Sequence, residues 1–574
     1  MAVRNYNGTM RKFKPGIGFS DFVVTDQMEK RIRIGDDQER NFRMGWLVWI
    51  LVLVGFSVLG VRLLTLQVFF GERYRLLSDE NRVRTIKLVA PRGVIADRNG
   101  VELAANRLVG EKWRRVYLAG EAFSHMLGYV GEVTEDEVGL MKERGLKFQV
   151  GDFIGRSGVE EYYEEALRGI DGGILVEVDN QGIAARQLGR RQPVGGERLI
   201  LGIDADLQKT GFEAMGNKKG AVVASDPKTG ELLVLTSSPS FDANSLTANY
   251  SDLITNADMP FLNRTVGGVY PPGSIFKMIT TSAAIESGEV LPGFTFEDAG
   301  VIKVNEYSYY NWLFTKRGGV EGTIGFTRAI TRSTDTFFYK VGEKTGPENI
   351  ADWATKFGLS QKTGIDLPGE VTGLIPDPDW KMEVKNERWY LGDTYIMSIG
   401  QGDILVTPLQ MNVMTNVLAT GGSKCVPHLL KNPSGKCQTL PMAKSTLDII
   451  EKGMVGACSS GGTAYVFFDW NDAAKAGLSQ AAYTKAPPET KLPLVACKTG
   501  TAEYWDVASG KMKTHGWLTA YAPADNPQIS VTVLMEGGGE GSDVAAPVVR
   551  KVLAKYFGIT DTYPYQSIRK GEGE

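Results

Sequence analysis

The sequence Tyr270-Pro271-Pro272-Gly273-Ser274-Ile275-Phe276-Lys277 decides how the rest of the chain is interpreted. Two prolines and a glycine end whatever precedes, and an apolar-rich run without a further breaker continues to Gly288. The pattern predicts a helix of about four turns, capped by Ser274 and closed by Gly288. Ser274 and Lys277 would share one face of its first turn. A hydroxyl with an amine in reach to take its proton is the arrangement of an activated nucleophile.

The Ser-x-x-Lys spacing alone is weak, because the chain also contains it at Ser225/Lys228 and Ser567/Lys570. The first of these spans the end of a predicted strand and a turn, and the second lies in a charged tail. Neither stands at a predicted helix N-terminus. Ser274 is therefore the candidate nucleophile and Lys277 its base.

Lys-Thr-Gly is the second motif, and such a cationic strand edge can bind a substrate carboxylate and offer a backbone N–H to an oxyanion. It occurs four times, at 228–230, 344–346, 362–364 and 498–500. The first copy lies in a predicted hairpin turn, the second at a helix end and the third in a loop. Only Lys498-Thr499-Gly500 ends an apolar strand, continues through Thr501-Ala502-Glu503 and lies well downstream of Ser274. We expect the fourth copy to belong to the site.

Between these motifs, Ser333-Thr334-Asp335 precedes an aromatic run with helical character. Taken alone, it is typical of a helix N-cap. In this order and company it becomes the third element of a serine acyl-transfer site, a second hydroxyl that relays protons.

The composition of the chain argues against several classes of protein. The 574 residues allow two or more domains, and a net charge of -3 does not indicate a nucleic-acid-binding protein. The three histidines lie far apart and form no zinc-binding spacing with cysteine, so we expect neither a metal nor a cofactor.

Residues 44–61 form an uncharged apolar run, and with its continuation we predict a transmembrane helix over 44–66. A buried core helix and a cleavable signal peptide are the alternatives. Cationic residues precede the run, so residues 1–43 are predicted to be a cytoplasmic tail and residues after about 70 to lie outside the membrane. Cys425 and Cys437 would then be in an oxidising compartment, where they pair or remain free buried cysteines.

Two regions follow the predicted span. Residues 67–197 alternate short strands and helices and are predicted to form a small, elongated α+β pedestal, with Asp97-Arg98-Asn99-Gly100 as a hairpin turn. Residues 198–560 contain longer elements, with a hairpin near 220–235, strands near 494–500, 517–521 and 528–535, and a last helix near 544–557. Strands at both ends with helices between them predict an antiparallel sheet, flanked by helices, in which the outer strands of the sequence meet in space. Residues 561–574 are a predicted tail.

The ordered motifs Ser-x-x-Lys, Ser-x-Asp and Lys-Thr-Gly behind a membrane anchor resemble the penicillin-binding proteins, whose transpeptidase domain shares its α/β fold with β-lactamases. The resemblance covers nearly everything after residue 62. Further family segments occur in the right order, namely Pro91–Gly100, His125–Gly131, Gly155–Glu160, Ser398–Asp403 and Thr407–Gln410. Residues 62–200 leave no room for a glycosyltransferase domain, which implies a class B member. Asp335 at the third position of the middle motif is similar to elongation-type members, the penicillin-binding protein 2 group. The head subdomain that members commonly insert after Ala104 is reduced to a few residues.

The resemblance implies a peptidoglycan D,D-transpeptidase of the bacterial inner membrane that β-lactams acylate. Ser274 would attack, Lys277 would be the base, and Ser333 and Lys498 would deliver a proton to the departing D-Ala. Lys498, Thr499, Gly500 and Thr501 would bind the substrate carboxylate, and the backbone N–H groups of Ser274 and Thr501 would hold the oxyanion. Asp335 would hydrogen-bond Lys277, although a carboxylate there should raise the pKa of a base that must be neutral.

The implied partners are stem peptides ending in D-Ala-D-Ala, a membrane glycosyltransferase of the SEDS type and no nucleic acid. The alternatives are a division-type transpeptidase, a non-catalytic activator of a glycosyltransferase, and a β-lactamase or β-lactam sensor. Covalent labelling by a penicillin, and the shape of cells depleted of the protein, would distinguish these alternatives.

Overall fold

The computed structural model describes residues 38–110, 112–143, 148–179, 181, 183–431, 436–479, 483, 491–507 and 509–565. Most of the predicted tails, 1–43 and 561–574, lies outside the described residues, as does the Ser567/Lys570 pair. The chain divides into two compact units: residues up to Arg84 with Leu175–Leu188, and the remainder.

The first unit contains a long apolar helix. Helix α1 covers Gln38–Leu64, a π-type turn follows at Thr65–Phe69, and helix α2 covers Gly71–Arg82. The stretch Gly45–Phe69 is long and apolar enough to cross a membrane, and its most apolar part is not buried within the protein. The helix matches the predicted span at 44–66.

Short elements dominate the next stretch. Its strands are β1 (Val83–Leu88), β2 (Ile95–Ala96), β3 (Glu102–Val109), β4 (Lys112–Tyr117), β5 (Val130–Glu132), β6 (Phe153–Gly155), β7 (Gly172–Val178), β8 (Ala184–Arg191) and β9 (Leu199–Ile200). Its helices are α3 (Ser124–Leu127), α4 (Glu135–Glu143), α5 (Gly158–Tyr162) and α6 (Glu164–Arg168). β2 and β3 pair antiparallel around the predicted Asp97–Gly100 turn. β3 and β4 form a hairpin where the sequence predicts the reduced head.

The remaining chain carries longer elements. Its strands are β10 (Gly220–Ser225), β11 (Leu232–Ser238), β12 (Thr295–Asp298), β13 (Val301–Val304), β14 (Tyr307–Tyr310), β15 (Gly322–Gly325), β16 (Ser423–Cys425), β17 (Cys437–Thr439), β18 (Ala496–Asp506), β19 (Lys511–Ala522) and β20 (Ile529–Met535). Its helices are α7 (Ala205–Met215), α8 (Leu246–Thr255), α9 (Lys277–Glu286), α10 (Trp312–Arg317), α11 (Phe326–Arg332), α12 (Asp335–Thr345), α13 (Pro347–Lys356), α14 (Pro378–Lys385), α15 (Leu391–Ser398), α16 (Pro408–Ala419), α17 (Lys444–Ala457), α18 (Phe468–Lys475), α19 (Gly541–Val544) and α20 (Ala546–Phe557).

A five-stranded sheet in the order β11-β10-β20-β19-β18 organises this part of the chain. Every neighbouring pair is antiparallel. β10 and β20 lie side by side, with Val222 opposite Val533, although more than 300 residues separate them in sequence. The prediction that strands from the two ends meet in one antiparallel sheet is confirmed. β18 ends the order and is an edge strand.

The sheet separates two apolar cores, because successive residues of a strand point to opposite faces. On β19, Trp517 and Tyr521 enter the core that also contains residues of α9, α12 and α16. Leu518 and Ala520 enter the other core, with residues of α7 and α20. The sheet is therefore flanked by helices on both faces, and its β18 edge lies beside the start of α9.

Candidate active site

Ser274 lies in a tight 3-10 turn, Gly273–Phe276, and the α-helix begins only at Lys277. The prediction that Ser274 caps the helix is therefore wrong, whereas Gly288, with φ +80°, closes the helix as predicted. No side-chain cap precedes either the turn or α9, which ends at Glu286. The N–H of Gly273 instead donates to the carbonyl of Gly400 at 2.8 Å. A contact distant in sequence, rather than a local cap, fixes the start of this helix.

Gly273 also brings this turn against β18. Its φ is +57°, and a Cβ there would lie 2.6 Å from the carbonyl oxygen of Thr501. On the other side, a Cβ on Gly400 would lie 2.3 Å from the carbonyl oxygen of Gly273. Because of these close approaches, neither Gly273 nor Gly400 could be replaced by a residue with a side chain without displacing its neighbours. Ser274 is thus held between the Gly400 loop and the predicted substrate strand.

Lys277 is fully buried and its Nζ has three hydrogen-bond acceptors. It donates to Asp335 Oδ1 and to the Ser333 carbonyl, both at 2.7 Å, and to Ser333 Oγ at 3.2 Å. Burial lowers the pKa of Lys277 from its ordinary value, while the charge and hydrogen bond of Asp335 oppose the shift. The desolvation of the amine outweighs the carboxylate, so the pKa shifts in the direction that a neutral base requires.

Ser333 occupies a backbone conformation that is uncommon for a residue with a side chain. It follows α11 with φ 56° and ψ 38°, in the left-handed region, two residues before α12 begins at Asp335. Such conformations carry a cost and cluster at functional sites. Here the backbone directs both the carbonyl and the hydroxyl of Ser333 to Lys277, and the hydroxyl also meets Lys498.

Lys498 approaches Ser333 from β18. Its Nζ donates to Ser333 Oγ at 2.8 Å and to the carbonyl of Thr499 at 2.9 Å. Lys498 is the third residue of β18, and the prediction that the strand ends with the motif at Gly500 is wrong: the strand continues to Asp506 because it pairs with β19 along its whole length. Burial, and next the positive charge of Lys277, hold the pKa of Lys498 well below its ordinary value.

The predicted substrate residues follow Lys498 along the same edge strand. Thr499 is buried, and its hydroxyl lies 2.8 Å from that of Thr463. Gly500 packs against the nucleophile turn, since a Cβ there would lie 3.0 Å from the carbonyl oxygen of Pro272. Thr501 is partly exposed and its carbonyl accepts from Gln401 Nε2 at 3.3 Å.

The other Lys-Thr-Gly copies lie where the sequence predicts. Residues 228–230 occupy the turn between β10 and β11, and Gly346 closes α12 with φ 81°. In the third copy, the N–H and hydroxyl of Thr363 both donate to Glu370. Each of these three copies has a local structural role.

Sequence reasoning missed several contacts of the site. Trp312 donates through Nε1 to the carbonyl of Arg332 at 2.8 Å and through its backbone N–H to Asp335 Oδ2 at 3.4 Å. The roles of Gly400 and Gln401 were also missed, although the segment Ser398–Asp403 matched a family motif. These contacts join residues far apart in sequence, and the sequence gives no other signal for them.

Both pairs of cysteines form disulfides. Cys425 pairs with Cys437, which settles the alternative that the sequence leaves open. Cys458 pairs with Cys497, the residue before Lys498, and the sequence analysis did not anticipate this bond.

The site combines a half-buried serine at a constrained turn with two buried amines around a second serine, and an edge strand lies beside them. The fold and this site together define a serine acyl-transfer enzyme. The chain belongs to the penicillin-binding protein transpeptidase family. The model of the penicillin binding protein transpeptidase domain matches residues 220–554, and that of the penicillin-binding protein dimerisation domain matches residues 108–201.

Individual relatives agree. The chain is 32% identical to the peptidoglycan D,D-transpeptidase MrdA of Acinetobacter baumannii, over 90% of this chain and 87% of the relative. The crystal structure of Pseudomonas aeruginosa PBP2 in complex with WCK 5153 is similar, with a TM-score of 0.69 and 32% identity, covering 83% of this chain and 99% of that one. A chain from a structure of a peptidoglycan synthase complex that coordinates polymerization and crosslinking has a TM-score of 0.70 and 28% identity, covering 91% of this chain and 99% of that one.

The tight packing of Gly273 generates the first prediction. Gly273→Ala is expected to slow covalent labelling by a fluorescent penicillin on the order of 10²-fold, because displacing a reacting group by about 1 Å can cost that much. Gly288→Ala is the matched control, since Gly288 also has a positive φ (+80°) but nothing within 4 Å of its Cβ position. Equal labelling rates of the two variants would contradict the proposed constraint on Ser274.

Proposed function

We propose that this chain is an elongation-type peptidoglycan D,D-transpeptidase that cross-links stem peptides through an acyl-enzyme on Ser274. One observation carries the proposal: Ser333 Oγ lies within 2.8 Å and 3.2 Å of the amines of Lys498 and Lys277, both fully buried. A hydroxyl between two such amines can pass a proton from one side of the site to the other. The MrdA relatives support the assignment to elongation.

Acylation begins with proton transfer from Ser274 to neutral Lys277. Ser274 Oγ then attacks the carbonyl carbon of the penultimate D-Ala, and its backbone N–H and that of Thr501 stabilise the oxyanion. Removing one such donor in other enzymes costs on the order of 10²–10³ in rate. The contact between Gly273 and the Thr501 carbonyl keeps the two donors together.

Breakdown of the tetrahedral intermediate needs a proton on the departing amine. Ser333 supplies it through its hydroxyl and takes back the proton that Lys277 accepted from Ser274, while Lys498 supports the hydroxyl by its hydrogen bond. The terminal carboxylate binds at Lys498-Thr499-Gly500-Thr501, and an amine of a neighbouring stem peptide later attacks the acyl-enzyme. A β-lactam follows the first half of this path and remains bound to Ser274.

We propose that α1 anchors the protein in the membrane and that the residues after about 70 lie outside it. We base the orientation on the cationic residues that precede the apolar run, which place the N-terminus in the cytoplasm and the catalytic part in the periplasm or its equivalent. The likeness to a chain of a peptidoglycan synthase complex supports a membrane glycosyltransferase of the SEDS type as partner.

The alternatives are less well supported. A non-catalytic activator has no need of two buried lysines around a strained serine, because each is costly without function. A β-lactamase does not account for the match to the penicillin-binding protein dimerisation domain at 108–201. Asp335 and the MrdA relatives favour elongation over division.

Ser274→Ala tests the function in cells depleted of the native copy. The variant chain is expected neither to bind a fluorescent penicillin nor to restore rod shape, so that the cells round up, because no other group replaces the attacking oxygen. Ser287→Ala, at the end of the same helix, is the control and should do both. A labelled Ser274→Ala chain would contradict the acyl-enzyme proposal, and filaments instead of round cells would indicate division.

Asp335→Asn tests the balance between burial and charge. In the native site Asp335 raises the pKa of Lys277 against the effect of burial. Removing the carboxylate leaves burial unopposed, so the pKa falls further and the rising limb of acylation rate against pH moves to lower pH. We expect a shift of about one unit or more, the size typical for a close opposite charge.

The measurement is the second-order acylation rate by benzylpenicillin from pH 5 to 10. Asp448→Asn is the control, because Asp448 pairs with exposed Lys444 on α17 at 2.7 Å. A limb that stays in place or moves to higher pH in Asp335→Asn would show that Lys277 is not the titrating base.

A further inference from the structure

The disulfide between Cys458 and Cys497 ends directly beside the site. Cys497 is the second residue of β18 and precedes Lys498, while Cys458 follows α17. Both residues are fully buried, and their Cα atoms are 5.7 Å apart, within the range that disulfides span. The bond therefore joins the substrate strand to the loop that leaves α17.

That loop, Ser459–Thr463, touches the Lys498 motif and the residue that precedes the Ser333 motif. Its Thr463 hydroxyl lies 2.8 Å from the hydroxyl of Thr499. At its centre, Arg332 donates to the carbonyls of Gly461 at 3.1 Å and Gly462 at 3.3 Å. Arg332 is the residue before Ser333, so the loop connects the Ser333 motif with the Lys498 strand.

The contact between Thr463 and Thr499 has a direction that matters for binding an anion. A hydroxyl has one proton and two acceptor lone pairs. If Thr463 donates to Thr499, the proton of Thr499 is free to reach a substrate carboxylate. If the loop moves away, Thr499 loses the donor that orients it. The position of Thr463 thus sets how Thr499 meets the anion.

Hydrogen bonds with neighbouring residues also hold this loop. Ala457 accepts from the N–H groups of Thr463 and Ala464, and Ser460 bonds to Asp472. Two cysteines without the bond would still pack as small apolar residues. What the disulfide adds is a covalent tie between the loop and Lys498.

We propose that the Cys458–Cys497 disulfide and Thr463 are positioning elements of the carboxylate-binding site, which hold Lys498 and Thr499 in the geometry that recognises the substrate anion. The proposal rests on the proposed function, since it concerns the same substrate. It adds a dependence on oxidation of this cysteine pair, which fits a catalytic part outside the cytoplasm.

The test compares an anionic and a neutral β-lactam on the full chain in detergent. Acylation rates are measured for benzylpenicillin and for its methyl ester, which lacks the carboxylate. In Cys458→Ala/Cys497→Ala the ratio of the two rates is expected to fall about tenfold, the equivalent of one hydrogen bond to a charged group. A change in folding alone would slow both compounds alike and leave the ratio unchanged.

Cys425→Ala/Cys437→Ala is the matched control, because it removes the other disulfide and should keep the native ratio. Thr463→Val should lower the ratio as the cysteine variant does, while Thr463→Ser, which keeps the hydroxyl, should restore it. If the double variant at 458 and 497 does not fold, the Thr463 variants decide.

An unchanged ratio in Thr463→Val would overturn the proposal, and so would free thiols at 458 and 497 in the denatured native chain. A wild-type chain that benzylpenicillin does not acylate would instead contradict the proposed function. The two failures are therefore distinguishable.

Discussion

Two buried amines that meet at one serine hydroxyl, with one carboxylate beside them, are the constraint on which the site depends. Lys277 bonds Asp335 at 2.7 Å, and Lys498 is held within reach of the same serine hydroxyl. Charging both amines in the interior would leave one positive charge without a partner, which is costly. Burial therefore keeps the pKa of each lysine below its ordinary value. The lowered pKa of Lys277 follows from this burial rather than from the Ser-x-x-Lys spacing.

The rest of the fold brings the members of this cluster together from four places in the chain. Gly273 and Gly400 allow the nucleophile turn to pack closely against β18. The left-handed backbone of Ser333 directs its hydroxyl between the two amines. The outer strands of the sheet, β11 and β18, come from the two ends of the domain in sequence. The sheet therefore brings Lys498, on β18, to the site. Among the described residues, no strand pairs with the outer side of Lys498–Thr501, and an extended peptide can lie there.

The sequence predicts the architecture and the three motifs well, since hairpins, apolar strands and the Lys-Thr-Gly copies are local patterns. The sequence pattern wrongly predicts that Ser274 caps a helix. Helix-capping rules consider only neighbouring residues and cannot include the hydrogen bond from Gly273 to Gly400. The sequence pattern also predicts that β18 ends at Gly500. The strand continues because the polar residues after Gly500 pair with β19. The Cys458–Cys497 bond and the contact between Thr463 and Thr499 depend on tertiary packing, which no spacing in the sequence encodes.

The state of Lys277 is the central claim, and its titration tests it most directly. The full chain carrying ¹³Cε-lysine is titrated in detergent, and the Lys277 resonance is assigned by its loss in Lys277→Arg. The account predicts a midpoint below the ordinary lysine value of 10.5 in the wild-type chain. A midpoint at or above 10.5 would mean that Asp335 outweighs burial and that Lys277 is charged at neutral pH.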